Sequence, residues 1–231
     1  MKTLVITGAS SGIGFSTAKL FGQKGYQIIN ISRRHCDLNS VKNISCDLSK
    51  KDSLESIEGE LKSSIEKSDS IILINNASKM NTDRVDSTHA SDLREVFEIN
   101  LVAPNILNGF CIPYMRPGSS ILYVGSTLSE KAVPGSFSYV TSKHALVGMM
   151  RATCQDLAGE KIHTACVCPG FTDTEMLREH IPEDVMPAIQ AMSAYERLIT
   201  PEEIAEALFW ASQNPIINGS LIHANLGQIE R

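Results

Sequence analysis

Short, almost wholly apolar runs recur along the chain: LVIT at 4–7, QIINIS at 27–32, SIILIN at 70–75, SILYVGS at 120–126 and IHTACVC at 162–168. They are rich in β-branched residues and lack the in/out alternation of a half-exposed strand, so each predicts a strand buried on both faces of a parallel sheet. Longer amphipathic stretches separate them and predict helices over Ile13–Lys24, Ser53–Glu66, Ser91–Met115, Tyr139–Ala158 and Pro201–Ser212. Two further strands are expected at 41–46 and 220–225. Strand followed by helix, repeated with right-handed crossovers, makes an α/β fold: a doubly wound parallel sheet of about seven strands with helices on both faces. No repeat, low-complexity tract or Pro/Gly/Ser-rich linker interrupts the pattern, so residues 1–231 read as a single domain. The least regular stretch, about 173–200, contains Pro182 and Pro187, which forbid one long helix. It reads equally as short helices covering a cleft and as an irregular surface connection.

A glycine-rich turn joins the first strand to the first helix: Thr7-Gly8-Ala9-Ser10-Ser11-Gly12-Ile13-Gly14. Glycines permit a tight turn and close backbone approach, while a helix N-terminus presents unpaired N–H groups and partial positive charge; together these suit a pyrophosphate. The spacing is G-x-x-x-G-x-G, and no Gly-Lys-Ser/Thr follows to make a P-loop. On its own the motif also fits a ligand-free βα turn. Its place at the first strand–helix junction favours a dinucleotide and, with it, a Rossmann-type sheet. About 20 residues beyond the loop, where such folds meet the adenosine ribose, the second strand ends Ser32-Arg33-Arg34 without a carboxylate. Guanidinium forks pair bidentately with phosphate and stack on adenine, so Arg33, supported by Arg34, favours NADP(H) while leaving NAD(H) open.

Tyr139 and Lys143 stand at i and i+4, one turn apart on the same helical face. A phenol, with an ordinary pKa of about 10, transfers protons poorly at neutral pH unless a nearby cation stabilises the phenolate. Ser126 follows the run Leu122-Tyr123-Val124-Gly125 at the carboxyl edge, where open α/β sheets bind ligands. Its hydroxyl can hold a carbonyl oxygen while Tyr139 moves the proton. Taken singly, such a pair is an ordinary helix contact and such a serine a cap; together with the glycine loop, a coincidence becomes improbable.

These motifs occur together with Asp47-Leu48, Asn75-Asn76-Ala77-Ser78, Asn100 and Pro169-Gly170-Phe171-Thr172-Asp173-Thr174. In order and spacing the chain resembles the compact branch of the short-chain dehydrogenase/reductase family, from residue 3 to the C-terminus. The resemblance implies a catalytic set of Asn100, Ser126, Tyr139 and Lys143. Tyr139 would be the general acid/base, Lys143 would favour its phenolate and bond the nicotinamide ribose, Ser126 would orient the substrate oxygen, and Asn100 would anchor a water relaying protons from Lys143. It also implies cofactor contacts from Tyr139 and Lys143 themselves, from Gly8, Ser10, Ser11, Gly12, Ile13 and Gly14, from Arg33 and Arg34, and from Asp47 and Leu48 beside the adenine. Asn76, Ala77 and Ser78 would back the adenosine ribose, and Pro169, Gly170, Thr172 and Thr174 would border the nicotinamide and phosphates. The implied reaction moves a hydride between NADP(H) and a small-molecule carbonyl or secondary alcohol, with an acyl-carrier thioester among the candidates. A non-catalytic dinucleotide-binding regulator or scaffold on the same fold is the alternative. Two departures are plain: Ser78 stands where the family commonly has glycine, and Ser11 where many NADP-preferring relatives carry a basic residue. The stretch 217–228 is similar to the end of 3-oxoacyl-acyl-carrier-protein reductases, with Leu226 where a second glycine usually stands. Members of that subgroup are generally tetramers, which implies a homodimer or homotetramer.

Composition narrows the partners. With 21 Lys and Arg against 26 Asp and Glu the net charge is −5, without the broad positive field that nucleic acid or an anionic membrane surface requires. The apolar run 4–6 is too short for a signal peptide, and the longest charge-free span, 207–229, is broken by Asn214, Pro215, Asn218, Gly219 and Asn225. Neither reads as a membrane element, and a cytoplasmic protein is expected. The six cysteines form no C-x-x-C pair and read as small buried hydrophobes, with Cys166 and Cys168 on one strand face; the six histidines show no ligand spacing, so no metal is expected. Met176, Met186 and Met192 read either as the lining of an adaptable apolar pocket or as ordinary packing.

Overall fold

The computed structural model describes residues 1–228. Strands β1 (Lys2–Thr7), β2 (Gln27–Ser32), β3 (Val41–Ser45), β4 (Ser70–Asn75), β5 (Ser120–Val124), β6 (His163–Pro169) and β7 (Ser220–Ala224) form one sheet in the order β3-β2-β1-β4-β5-β6-β7. Every pairing is parallel; Leu4, for example, lies between Ile28 of β2 and Ile72 of β4. Successive side chains enter opposite cores. Val5, Ile29, Ile71, Leu73, Ile121 and Tyr123 face one, and Leu4, Ile6, Ile28, Ile72, Ile74 and Leu122 face the other. Helices cover both sides, which is why the strand sequences are apolar without alternation.

The first core is closed by α2 (Glu58–Ile65), α4 (Ala103–Cys111) and α5 (Phe137–Asp156), through Leu61, Ile65, Leu107, Cys111, Leu146 and Met150. The second is closed by α1 (Gly12–Gln23) and α8 (Pro201–Gln213), through Ala18, Phe21, Ile204 and Leu208. Burying one such aliphatic or aromatic side chain contributes roughly 1.5–3 kcal/mol. The sum holds the fold without cross-links: all six cysteines are free, and Cys36, Cys46, Cys111, Cys166 and Cys168 are buried as small apolar groups.

Helix boundaries depart from the sequence expectation where distant groups intervene. The helix expected over 53–66 is a 3₁₀ turn, Glu55–Ile57, running into α2. The one expected over 91–115 is α3 (Ala90–Phe97), a π turn at Glu98–Val102, α4 and a final 3₁₀ turn. That run is long and apolar enough, by length and composition, to cross a membrane. In this fold it lies along the sheet, with Val96, Ala103, Leu107 and Cys111 inside the protein. α5 begins at Phe137 rather than Tyr139 because its first amides are satisfied from elsewhere. Phe137 N donates to the Asp83 carbonyl oxygen (3.2 Å) and Ser138 N to Asp83 Oδ1 (3.0 Å), while its own N-cap residue, Ser136, makes no side-chain cap.

Between β1 and β4 the strand order reverses direction, so the loops leaving their carboxyl ends diverge and open a crevice. Over one side of it lies the segment beyond β6, which is built of short helices: α6 (Glu175–His180), a 3₁₀ turn at Glu183–Val185 and α7 (Met186–Gln190). Its neck is zipped by Asp173 N to Ile199 O and Ile199 N to Phe171 O, both 2.9 Å. The segment is therefore a flap closed at its base.

Candidate active site

The glycine loop is shaped by what residue 14 lacks. Gly8 and Gly12 have positive φ (71° and 54°), a region that side-chain-bearing residues rarely adopt. A Cβ on Gly14 would lie 2.2 Å from the Gly8 carbonyl oxygen and 2.7 Å from Asn76 Nδ2. Asn76 Nδ2 donates to the carbonyls of Thr7 (2.9 Å) and Gly8 (3.2 Å), and Thr7 Oγ1 accepts from the amides of Asn76 (3.0 Å) and Ala77 (2.9 Å). The loops after β1 and β4 are thereby laced together. From the other side Asn30, fully buried in β2, accepts from Ala9 N (2.9 Å) and donates to Asn43 Oδ1 (2.8 Å). Ser11, the N-cap of α1, makes no side-chain cap bond, so the helix presents unclaimed amides beside Ser10 and Ile13. A close-packed cradle ending in free donors fits a dinucleotide pyrophosphate.

At the end of β2 the two arginines, both exposed, act on different carboxylates. Arg34 Nη2 donates to Ser11 Oγ (3.1 Å) and to Glu175 Oε2 (2.9 Å) at the start of α6. Those contacts hold the Glu175 carboxyl below its usual range. Arg33 acts on Asp47: burial opposes ionisation there, but hydrogen bonds from Ser49 N (3.1 Å) and Oγ (2.8 Å), with the Arg33 charge, draw the Asp47 carboxyl below its usual range. Leu48 beside it is buried.

The remaining motif side chains gather where β5 meets α5. Gly125 has no room for a side chain, since a Cβ would lie 2.7 Å from Cys166 Sγ and 2.9 Å from Cys168 Sγ, the two thiols sharing one face of β6 as expected. Ser126 then caps a 3₁₀ turn: its Oγ accepts from Leu128 N (3.1 Å) and its amide donates to Ser129 Oγ (3.1 Å). The hydroxyl keeps its own hydrogen to donate. Lys143 is only 3% exposed, and its Nζ donates to the Val124 carbonyl (2.8 Å) while lying 5.4 Å from the centre of the Tyr139 ring. Tyr139 is 8% exposed. An ammonium has three donors, so two remain for other oxygens.

Asn100 sits in the π turn with every side-chain site filled. Nδ2 donates to Ser142 Oγ (2.9 Å) and the Lys79 carbonyl (3.0 Å); Oδ1 accepts from Lys79 N (2.8 Å) and Ser78 Oγ (3.1 Å). An amide offers two donors and two acceptor sites, so a water held by this residue must use its main-chain carbonyl. Ser78 supplies a bond that a glycine there cannot.

The flap touches the site at both ends of α6. Thr174 caps the helix by accepting from Leu177 N (3.3 Å), and its methyl would be 3.1 Å from a Cβ on Gly12. Thr172 Oγ1 donates to the Gly170 carbonyl (3.1 Å), just beyond Pro169 at the end of β6. His180 contacts the carbonyls of Met176 through Nδ1 (2.8 Å) and Met80 through Nε2 (3.2 Å). A cavity of about 520 Å³ lies between α6 and the loop after β4, lined by Lys79, Asn81, Asp83, Thr88, Asp92 and His180 among others. Its lining is mostly polar, and Met176, Met186 and Met192 are not among the residues that line it. Sequence reasoning passed over Asn30, Asp83, Glu175 and His180. Only Asn30 carried a local signal, an amide inside an apolar strand.

A family model described as enoyl-(acyl carrier protein) reductase matches residues 8–228. The chain belongs to the short-chain dehydrogenase/reductase family. It is 28% identical over 230 residues to carbonyl reductase family member 4 of Xenopus laevis, covering 96% of this chain and 95% of that one. It is likewise 28% identical over 243 residues to a 3-oxoacyl-acyl-carrier-protein reductase of Thermotoga maritima, covering 99% and 98%. The solved structure of a short chain dehydrogenase family protein from Francisella tularensis aligns with a TM-score of 0.90 at 25% identity over 98% of both chains. As a short-chain dehydrogenase/reductase the chain is a member of an oxidoreductase family, and its glycine cradle, serine turn and Tyr–Lys pair line one edge of the sheet.

Proposed function

We propose that this short-chain dehydrogenase/reductase transfers a hydride between NADP(H) and a carbonyl or secondary alcohol, with Tyr139 as general acid/base. The observation that carries the reading is the Lys143 ammonium, buried and anchored on the Val124 carbonyl one turn from the Tyr139 phenol and two residues from Ser126. When bound, the nicotinamide cofactor supplies the hydride donor or acceptor. Gly8, Ser10, Ser11, Gly12, Ile13 and Gly14 hold its pyrophosphate, and Arg33 and Arg34 receive a 2′-phosphate. Asp47 and Leu48 border the adenine, Asn76 to Ser78 back the ribose, and Pro169, Gly170, Thr172 and Thr174 border the nicotinamide end. Ser126 donates to the substrate oxygen. Tyr139 gives that oxygen its proton in reduction and takes it in oxidation, and Lys143 stabilises the phenolate electrostatically. Asn100 locks the π turn to α5 through Ser142, whose hydroxyl also donates to the Tyr139 carbonyl (2.8 Å).

In this reading residues 1–231 act as one domain, in the cytoplasm, as a homodimer or homotetramer. The likeness to a carbonyl reductase and to a 3-oxoacyl-acyl-carrier-protein reductase supports small carbonyl compounds and acyl-carrier thioesters as the substrates to try first. With NADPH and a panel of ketones, aldoses and 3-oxoacyl thioesters, followed by NADPH absorbance, the wild type turns over. Tyr139→Phe still binds the cofactor and loses about 10²–10⁴-fold in kcat, the usual contribution of a positioned acid/base. Turnover that survives in Tyr139→Phe defeats the mechanism. Cofactor binding without turnover on any member of the panel supports a non-catalytic, dinucleotide-binding role instead.

A further inference from the structure

We infer that Glu175 is a specificity-determining residue: its carboxylate occupies Arg34 in competition with the 2′-phosphate of the cofactor, so that phosphate binding unlatches the start of the flap. The inference rests on the reading of Arg33 and Arg34 as phosphate ligands. One guanidinium nitrogen of Arg34 reaches both Ser11 Oγ in the glycine loop (3.1 Å) and Glu175 Oε2 in the first turn of α6 (2.9 Å). It therefore ties three loops together: the ends of β1 and β2 and the entry to the flap. At its other end α6 is held by His180 on the Met80 carbonyl. The helix thus bridges the cofactor loop and the polar cavity.

The exchange is energetically cheap. Arg34 and Glu175 are 66% and 58% exposed, and an exposed pair of this kind contributes little, because both charges remain solvated and both long side chains must be held in one geometry. A phosphate accepts a guanidinium bidentately and with more charge. Once it arrives, Glu175 becomes a like-charge neighbour, because an exposed glutamate released from its partner is still ionised at neutral pH. A ribose carrying only a 2′-hydroxyl makes no demand on Arg34 and meets no such repulsion.

Fluorescence titration of the intact protein with NADPH and, separately, NADH tests this in the wild type, Glu175→Gln, Arg34→Gln and the double variant. Glu175→Gln should bind NADPH about fivefold tighter, and NADH within about twofold of the wild type. Arg34→Gln should weaken NADPH and abolish the effect of Glu175→Gln. In the cofactor-free protein, amide exchange across 175–180 should quicken in both single variants. The inference fails if NADPH affinity is unchanged in Glu175→Gln, if both cofactors tighten equally, if the gain persists without Arg34, or if flap exchange is unmoved. A wild type that prefers NADH, but shifts toward NADPH in Glu175→Gln, keeps the inference and overturns the NADP(H) preference proposed above. A protein that binds neither cofactor overturns both.

Discussion

Glycine is required at some positions of this chain and tolerated at others, and the surrounding atoms decide which. At Gly14 an added methyl meets the Gly8 carbonyl at 2.2 Å, a backbone atom that moves only if the whole loop moves. Gly14→Ala is expected to destabilise the fold by about 1–3 kcal/mol, the usual cost of overpacking, and to abolish NADPH binding; urea unfolding and fluorescence titration check the two effects. Gly59 is the opposite case, an exposed glycine in α2 with nothing within 4 Å of its would-be Cβ. Gly59→Ala should stabilise by roughly 0.5–1 kcal/mol in the same assay, because alanine loses less backbone entropy in a helix. The G-x-x-x-G-x-G spacing marked the first glycine as special. The unimportance of the second is visible only from the empty space around it.

At the scale of elements, the strands were legible and the helix ends were not. A strand buried on both faces declares itself by an unbroken apolar run, because each of its residues obeys the same rule. A helix end depends on whichever group reaches its first amides, and for α5 that group is Asp83, 55 residues earlier in the chain. Asp83→Ala should cost about 1 kcal/mol of stability, as the loss of a helix cap does, whereas Asp83→Asn keeps an acceptor and should stay within a few tenths. Equal losses in both variants, measured by denaturant unfolding, would show that the cap is not the source of the effect. The π turn at Glu98–Val102 was equally unreadable. It places Asn100 against Lys79, Ser78 and Ser142, none of them sequence neighbours.

For the molecule as a whole, one buried histidine links pH to stability. His163 lies inside β6 with Nε2 against the Ala211 carbonyl of α8 (2.9 Å), and burial pushes its ionisation down from the ordinary value. The folded protein therefore keeps it neutral, while the unfolded chain protonates it near pH 6.5. Stability from this group is complete above about pH 6.5 and is lost as pH falls toward the lower folded value, because the unfolded state then binds the extra proton. The urea midpoint of the wild type should fall between pH 7.5 and 5.5, conditions chosen to be about one unit either side of that value. His163→Gln, which retains a side-chain donor, should flatten the slope; an unchanged slope would place the pH dependence elsewhere.

What the sequence determined by itself was everything governed by neighbours along the chain: the period of the apolar runs, the glycine spacing after β1, and the one-turn offset of Tyr139 and Lys143. Those are local regularities, and they specify the sheet and the inventory of reactive side chains. Only the tertiary structure decided the partners. Arg34 meets Glu175 across 141 residues and His180 meets Met80 across 100, while the charge of Arg33, next to Arg34 in the chain, helps to keep Asp47 ionised. Hydrogen bonds and ion pairs act over a few ångströms of space, whatever the distance along the chain, so these pairings come into being only when the order of the strands brings their loops to one edge.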